Sequence, residues 1–243
     1  MIAAEAFALL RAAPVLPLSA LVPRFPLLVL APHQDDESLG CGGLLAQCAA
    51  AALPVHLAFL TDGSRSHPAS PSYPPRRLAQ TRAAEAIEAA RLLGLRAGQV
   101  SFLGEPDSAA AHDGPAFDDA LARLLALMRA QGIATIATSW IADPHADHAC
   151  AWKLARAAAR ATGAARLSFP VWSWTLPPET AVPPVGRAMR LDIAAQLPAK
   201  RAAIAAHATQ HAGTITDDPD GFTLPAHFLA LFDGAHEYFL AED

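Results

Sequence analysis

The chain has 243 residues, 53% of them apolar and 17% charged, with a formal net charge of −5. That balance supports a large buried core, rules out a disordered chain, and lacks the basic stripe of a nucleic-acid binder. Cys41, Cys48 and Cys150 are odd in number and form no Cys-x-x-Cys pair, which argues against a disulfide framework or a thiolate zinc site and fits a reducing cytoplasm.

Residues 1–26 are apolar but have no basic leader, and Arg11, Arg24 and several prolines interrupt them. No uninterrupted run reaches the ~18 to 20 apolar residues of a membrane span, so neither an export signal nor a membrane anchor is expected. Strand-length apolar runs then alternate with longer helix-like stretches. Strands are expected at 27–31, 55–61, 100–103, 133–139 and 167–174, with 189–193 at an edge. Continuous apolar runs of this kind suit strands covered on both faces of a parallel sheet. Helices are expected at 38–52, 78–93, 117–129 and 147–161, with Gly94 and Gly132 ending two of them. The alternation predicts a doubly wound, mainly parallel α/β sheet sandwiched by helices, Rossmann-like, in a single domain over 1–243. Long loops at 64–75, 174–184 and 212–221 have the length of binding loops or lids.

The stretch Pro32-His33-Gln34-Asp35-Asp36-Glu37-Ser38 directly follows the first expected strand. Carboxyl ends of strands are where open α/β sheets collect ligands and catalytic groups. Asp35 and Asp36 are neighbours on a strand-to-helix turn, so their side chains diverge, one toward a metal and the other toward a reacting water. Ser38 reads as the N-cap and Glu37 as the first-turn acid of the following helix. Gly40, Gly42 and Gly43 let that helix approach the sheet closely. A phosphate-cradling loop is a weak rival, because no Lys-Ser/Thr pair follows the glycines.

A second cluster, Asp143-Pro144-His145-Ala146-Asp147-His148, follows the fourth expected strand. Together the two clusters can supply the N and O ligands of one metal site. One histidine of the second cluster can bind the ion while the other, protonated, stabilises an oxyanion. Asp147 can hydrogen-bond one of them, fix its tautomer and raise its basicity. Bland readings stand beside these: a helix-capping turn for the first cluster, two surface histidines for the second. Residues and spacing alone reach metal-assisted hydrolysis.

With both clusters in view, the sequence resembles the PIG-L/LmbE-like zinc-dependent N-deacetylases. That family carries a His-Pro-Asp-Asp-Glu motif after its first strand and a later His-x-Asp-His motif. Gln34 replaces the motif's proline at a position that is not a ligand. Supporting matches are Leu60-Thr61-Asp62-Gly63, Arg82-x-x-Glu85, Phe102-Leu103-Gly104-x-x-Asp107, and Lys200 through His207 to Gln210. The resemblance implies metal ligands at His33, Asp36 and His148. It further implies Asp35 as general base and His145 as oxyanion stabiliser oriented by Asp147. The implied cofactor is Zn2+, with Fe2+ as an alternative for a mixed N/O set. The implied substrate is a small N-acetylglucosamine-type sugar or glycoconjugate.

Other residues carry two readings. Arg82 is either an exposed partner of Glu85 or Glu88 or a substrate contact, and Asp107 is a loop residue placed to bind substrate. Lys200, His207 and Gln210 fall on one expected helix, with Lys200 on a solvated face. Trp140, Trp172 and Trp174 are either a sugar-stacking wall or core. Two other activities stay open: an amidase for a thiol-conjugate or other acyl group, and a non-catalytic carbohydrate-binding protein on the same fold. Oligomeric state is left open too.

Overall fold

The computed structural model describes residues 1–22, 24–211 and 213–242. Its strands are β1 (Leu27–Ala31), β2 (Val55–Thr61), β3 (Val100–Glu105), β4 (Thr135–Ser139), β5 (Ala165–Phe169), β6 (Arg187–Asp192) and β7 (His236–Glu242). They form one sheet of order β3-β2-β1-β4-β5-β7-β6. The first five are parallel, and β7 runs antiparallel to both of its neighbours. The helices are α1 (Ala3–Ala12), α2 (Leu18–Leu21), α3 (Asp36–Ala50), α4 (Pro75–Leu92), α5 (Gly114–Ala130), α6 (Ala146–Thr162), α7 (Leu197–Ala206), α8 (Ala208–His211) and α9 (Ala226–Leu229).

The period-two alternation of side chains divides β1 between two cores. Leu27, Val29 and Ala31 face the α3, α4 and α7 side, whereas Leu28 and Leu30 pack with α5 and α6. All five are fully buried. At roughly 1.5–3 kcal/mol per buried leucine or valine, this strand is a principal stabilising element. Gly40 and Gly43 bring α3 against its neighbours. A Cβ on Gly40 would stand 2.2 Å from the Phe169 ring, and one on Gly43 would stand 2.3 Å from Ile193. The close approach expected at these glycines is therefore real.

Several details differ from the sequence reading. The run 167–174 is strand only to Phe169, and Trp172–Thr175 is a turn of 3-10 helix. The helix carrying Lys200, His207 and Gln210 breaks at His207 (φ −79°, ψ 54°) into α7 and α8. Lys200 is buried, not solvated, and its Nζ donates to Glu237 Oε1 at 2.7 Å. Glu237 in turn accepts the Gly43 and Leu44 amides at 2.7 and 2.8 Å. Those amides are free because Cys41 (φ −147°, ψ 25°) interrupts α3, so the carboxylate caps the helix's second segment. Trp140 and Trp174 pack around α1 as core.

Of the three long loops, residues 64–75 and 213–221 are tied to each other. Asp217 accepts from Ser70 Oγ (2.6 Å) and the Ser72 amide (2.9 Å), and the Ala69 amide donates to Asp218 (2.8 Å). Residue 212, the expected start of the third loop, lies outside the described residues. The loop at 174–184 packs on α1, accepting the Ala3 and Ala4 amides at Thr180 and Pro178. Among the described residues, no helix is long and apolar enough to cross a membrane.

Candidate metal centre and active site

The order β2-β1-β4 makes the β1/β4 boundary the point where the parallel sheet reverses its winding, and a crevice opens there. The β1-to-α3 turn delivers His33, Asp35 and Asp36 to this crevice, and the β4-to-α6 turn delivers Asp143, His145, Asp147 and His148. A pocket of about 360 Å³ lies over them. His33, Asp35, Asp107 and His145 line its polar part, and Pro144, Trp172 and Phe222 form an apolar wall. Trp172 stacks on Phe228 with centroids 4.1 Å apart, and Phe222 meets it edge-on. Of the three tryptophans weighed as a sugar-stacking wall, this is the one in the pocket lining.

Asp36 Oδ2 lies 3.4 Å from His33 Nδ1 and 3.2 Å from His148 Nε2. The far side of each imidazole is already committed. His148 Nδ1 is 2.9 Å from Asp143 Oδ2, and Asp143 also accepts the Val171 and Ser173 amides, so it is an acceptor and the ring nitrogen donates. His33 Nε2 lies 3.0 Å from Asp147 Oδ2 and 3.4 Å from Asp107 Oδ1, so it too carries its proton on the far side. Neutral imidazoles in these tautomers turn two lone pairs toward one carboxylate oxygen. Buried His148 Nε2 has no hydrogen-bond partner among the described residues. Acceptors facing acceptors require a proton or a cation between them.

Without an ion, protons fill that role. Burial opposes charge on His148, but Asp36 and Asp143 outweigh it and raise its pKa to about 9. His33 is likewise raised against burial, by Asp107, Asp147 and Asp36. Asp36 is driven far below the carboxylate range by the two imidazoles despite its burial. A divalent ion replaces such protons and needs the same deprotonated donors. Tetrahedral ligands at about 2.0–2.1 Å from zinc stand about 3.3 Å apart, which the 3.2 and 3.4 Å separations match. The residues fit the group. Among the described residues, the sets whose ligand atoms all lie within 4.8 Å of one another are His33, His145 and His148, and His33, Asp107 and Asp147, whereas His33 and His148 are joined to Asp36 by the two distances given above. The second set would use the His33 edge already bonded to Asp147.

Asp35, next in sequence to Asp36, faces elsewhere, as expected. Its backbone has φ 151° and ψ −31°, a region that side-chain-bearing residues rarely enter. Arg82 Nη2 lies 3.5 Å from its carboxylate. Burial raises the Asp35 pKa to about 7, with Asp36 adding to the rise and Arg82 opposing it. A carboxyl group poised near neutrality suits proton transfer. Arg82 is buried, so pairing with Glu85 or Glu88 is overturned. Its guanidinium donates to the Gln34 and Gly63 carbonyls at 2.9 and 3.1 Å. Gln34 bonds the Thr61 carbonyl at 2.7 Å, which locks the turn in proline's absence.

Asp147 does not orient His145 through its carboxylate, contrary to the sequence reading. The carboxylate faces His33 and accepts the Ser108 and Ala110 amides, at 2.7 and 3.2 Å. It is the Asp147 backbone amide that donates to His145 Nδ1, at 3.2 Å. That contact leaves the Nε2–H of a neutral His145 free to donate. Burial and the neighbouring His33 and His148 lower the His145 pKa, and Asp147 only partly opposes them. The protonated His145 expected from sequence is therefore replaced by a neutral donor. Ser38 is not the N-cap: Asp35 holds that position, and Ser38 Oγ donates to Glu37 at 2.6 Å. Asp107 lies where expected, on the pocket wall, and accepts the Arg65 amide at 2.7 Å.

Sequence reasoning missed Asp143 as the partner of His148, although it opens the second cluster. It also missed Arg65, Ser66 and Phe222 as pocket residues, which have no periodic signal.

No curated protein matches the sequence significantly. Among solved structures, the conserved protein TT1542 from Thermus thermophilus is 28% identical. That match covers 77% of this chain and 80% of that one, with a TM-score of 0.58. N,N'-diacetylchitobiose deacetylase from Pyrococcus horikoshii is 22% identical over 98% and 92% of the two chains, with a TM-score of 0.64. The zinc-inhibited form of teicoplanin deacetylase Orf2 is 17% identical over 88% and 97%, with a TM-score of 0.67. The last two likenesses show a shared fold. The profile described as PIG-L, GlcNAc-PI de-N-acetylase, matches residues 28–159. That segment runs from within β1 to the last turn of α6 and so holds both His/Asp clusters: more than half of the chain matches, and the protein belongs to the PIG-L family.

Proposed function

We propose that this protein is a metal-dependent hydrolase that removes the acetyl group from an N-acetylglucosamine-type sugar or glycoconjugate. The observation that carries the reading is the convergence of His33 Nδ1, His148 Nε2 and Asp36 Oδ2 beside an Asp35 that does not join them. Membership of the PIG-L family and the fold shared with proteins named as deacetylases support the choice of amide. A binding protein would have no need of a buried carboxyl group held beside the three converging groups but outside them.

His33, Asp36 and His148 would hold the ion, Zn2+ or Fe2+. Bound there, it would polarise the amide carbonyl and acidify water. Asp35 takes a proton from the water that attacks the amide carbon and returns it to the leaving amine as the C–N bond breaks. His145 donates its Nε2–H to the oxygen that becomes negative. Asp147 and Asp143 fix the tautomers of His33 and His148. Arg82 holds Asp35 in place, and Asp107 offers a carboxylate edge to sugar hydroxyls. The deciding experiment measures acetate release from a panel of N-acetylglucosaminyl conjugates, before and after chelation and with Zn2+ or Fe2+ restored. Acetate released equally with and without chelator would overturn the metal-dependent reading. Release of a longer acyl group in place of acetate would favour an amidase of another specificity, for which the Trp172–Phe222 wall offers apolar contact.

A further inference from the structure

The unusual backbone of Asp35 is held from behind the site, by residues that do not line the pocket. The Asp35 amide donates to Glu37 Oε2 at 3.0 Å. Glu37 is fully buried, and its other oxygen receives Ser38 Oγ at 2.6 Å and His207 Nε2 at 2.8 Å. His207 is 1% exposed, and among the described residues its Nδ1 has no hydrogen-bond partner, so Glu37 and Ser38 are the described residues that fix the ring through polar contacts. The segment around His207 is anchored in turn. Just beyond the break between α7 and α8, Glu85 accepts the Thr209 amide at 2.9 Å and the Thr209 hydroxyl at 2.6 Å.

A buried carboxylate and imidazole are costly unless paired, and the reaction set out above uses neither. They are, however, the last links between the C-terminal third of the chain and the peptide of Asp35. We infer that Glu37 and His207 are positioning residues: His207 holds Glu37, and Glu37 holds the Asp35 amide so that its carboxylate addresses the reacting centre and not the ion. This inference rests on Asp35 acting as the base. Neither side chain is one of the proposed metal ligands, so metal per chain is expected to survive their substitution. His207 also lies outside the segment matched by the family profile.

The test uses the full, metal-loaded chain and acetate release from N-acetylglucosaminides. Glu37→Gln puts a donor where the Asp35 amide or His207 needs an acceptor. It is expected to lower kcat about 10- to 100-fold, the penalty of a small misplacement of a reacting group. KM and metal per chain should stay at wild-type levels, a split that a general loss of folding would not give. His207→Gln keeps a donor toward Glu37 and should retain most of kcat, while His207→Leu should fall to the level of Glu37→Gln. The double variant Glu37→Gln/His207→Leu should lose no more than the worse single one, because both act through one chain of contacts. Should His207→Leu not fold, the comparison of Glu37→Gln with His207→Gln decides. A metal-loaded Glu37→Gln with wild-type kcat overturns the inference, as does equal impairment of His207→Gln and His207→Leu. Asp35→Asn separates the two levels. If it loses kcat while Glu37→Gln keeps wild-type kcat, positioning alone fails. If it turns over normally, the base assignment fails and the positioning inference with it.

Discussion

Asp143 Oδ2 and His148 Nδ1 lie 2.9 Å apart, with both side chains fully buried. The Val171 and Ser173 amides hold the carboxylate from the other side, so the orientation of the imidazole is fixed before any ion arrives. Removing such an outer partner of a ligand histidine typically costs 10- to 100-fold in metal affinity. Asp143→Ala is therefore expected to weaken zinc binding by about that factor while keeping the fold. Competition against a chromophoric chelator measures it, and unchanged affinity would place the ion elsewhere.

Asp35→Asn removes the proposed proton acceptor but none of the proposed ligands. It should keep one metal per chain and lose roughly 10²-fold or more in kcat. Elemental analysis beside steady-state kinetics checks both halves. Loss of the ion would move Asp35 into the ligand set.

His145→Ala should lower kcat by about 10²- to 10³-fold, as when a single oxyanion donor is removed. His145→Gln, which still offers an N–H, should recover part of that loss. Because the proposed donor is a neutral ring, with Nδ1 accepting the Asp147 amide and burial lowering its pKa, any fall in activity at high pH is expected to belong to another group. Profiles of kcat/KM for the two proteins should share their alkaline limb. A limb that vanishes in His145→Ala would restore a protonated role.

The proposed ligand set should make the metal-free protein sensitive to alkali. Folding raises the His148 pKa from 6.5 to about 9, because Asp36 and Asp143 overcome burial. A group raised by folding stabilises the native state while protonated. Its contribution is complete below pH 6.5 and disappears as pH climbs through 9. Asp35, raised by burial from 3.8 to about 7, acts in the same sense over a lower window. The Tm of chelator-treated protein should thus fall between pH 6.5 and 9, and that of metal-loaded protein much less. Metal loading at about pH 8 should release protons, visible as calorimetric heats that vary with buffer ionisation enthalpy. Heats independent of buffer would contradict the proton-for-metal exchange.

Lys200→Met leaves Glu237 charged and buried, with only helix amides as partners. Breaking a buried pair on one side costs about 3–5 kcal/mol. Urea unfolding should show a loss of that order, and near-normal stability would mean that the two amides suffice.

The boundaries of β1 and β2 were legible to the residue, because continuous apolar runs ending in Pro32 and Asp62 leave little choice. β7 was not legible. His236 and Glu237 disguise its start, and Glu237 is buried only because Lys200 meets it. Helix α1 was hidden for a similar reason: its apolar stripe finds Trp140 and Leu240, partners remote in sequence. At the site, the two His/Asp clusters could be read because their residue types and strand-end positions coincide. Side-chain directions could not. Whether Asp147 turns to His145 or to His33 depends on rotamers at a helix start, and the amides of Ser108 and Ala110 settle it from a loop nearly forty residues away. The burial of Lys200 and His207 was equally hidden, since an α7 face reads alike whether it meets water or α3.

The position of β7 between β5 and β6 bears on how the chain acquires its form during synthesis. β6 emerges from the ribosome well before its sheet partner and pairs only with β7 among the named strands. Glu237, which caps the second segment of α3, arrives on that same late strand. The helix behind Asp35 therefore stays uncapped until residues 236–242 have been translated, although every proposed ligand is made by residue 148. A nascent chain stalled between those points would carry the full proposed ligand set on an unfinished scaffold.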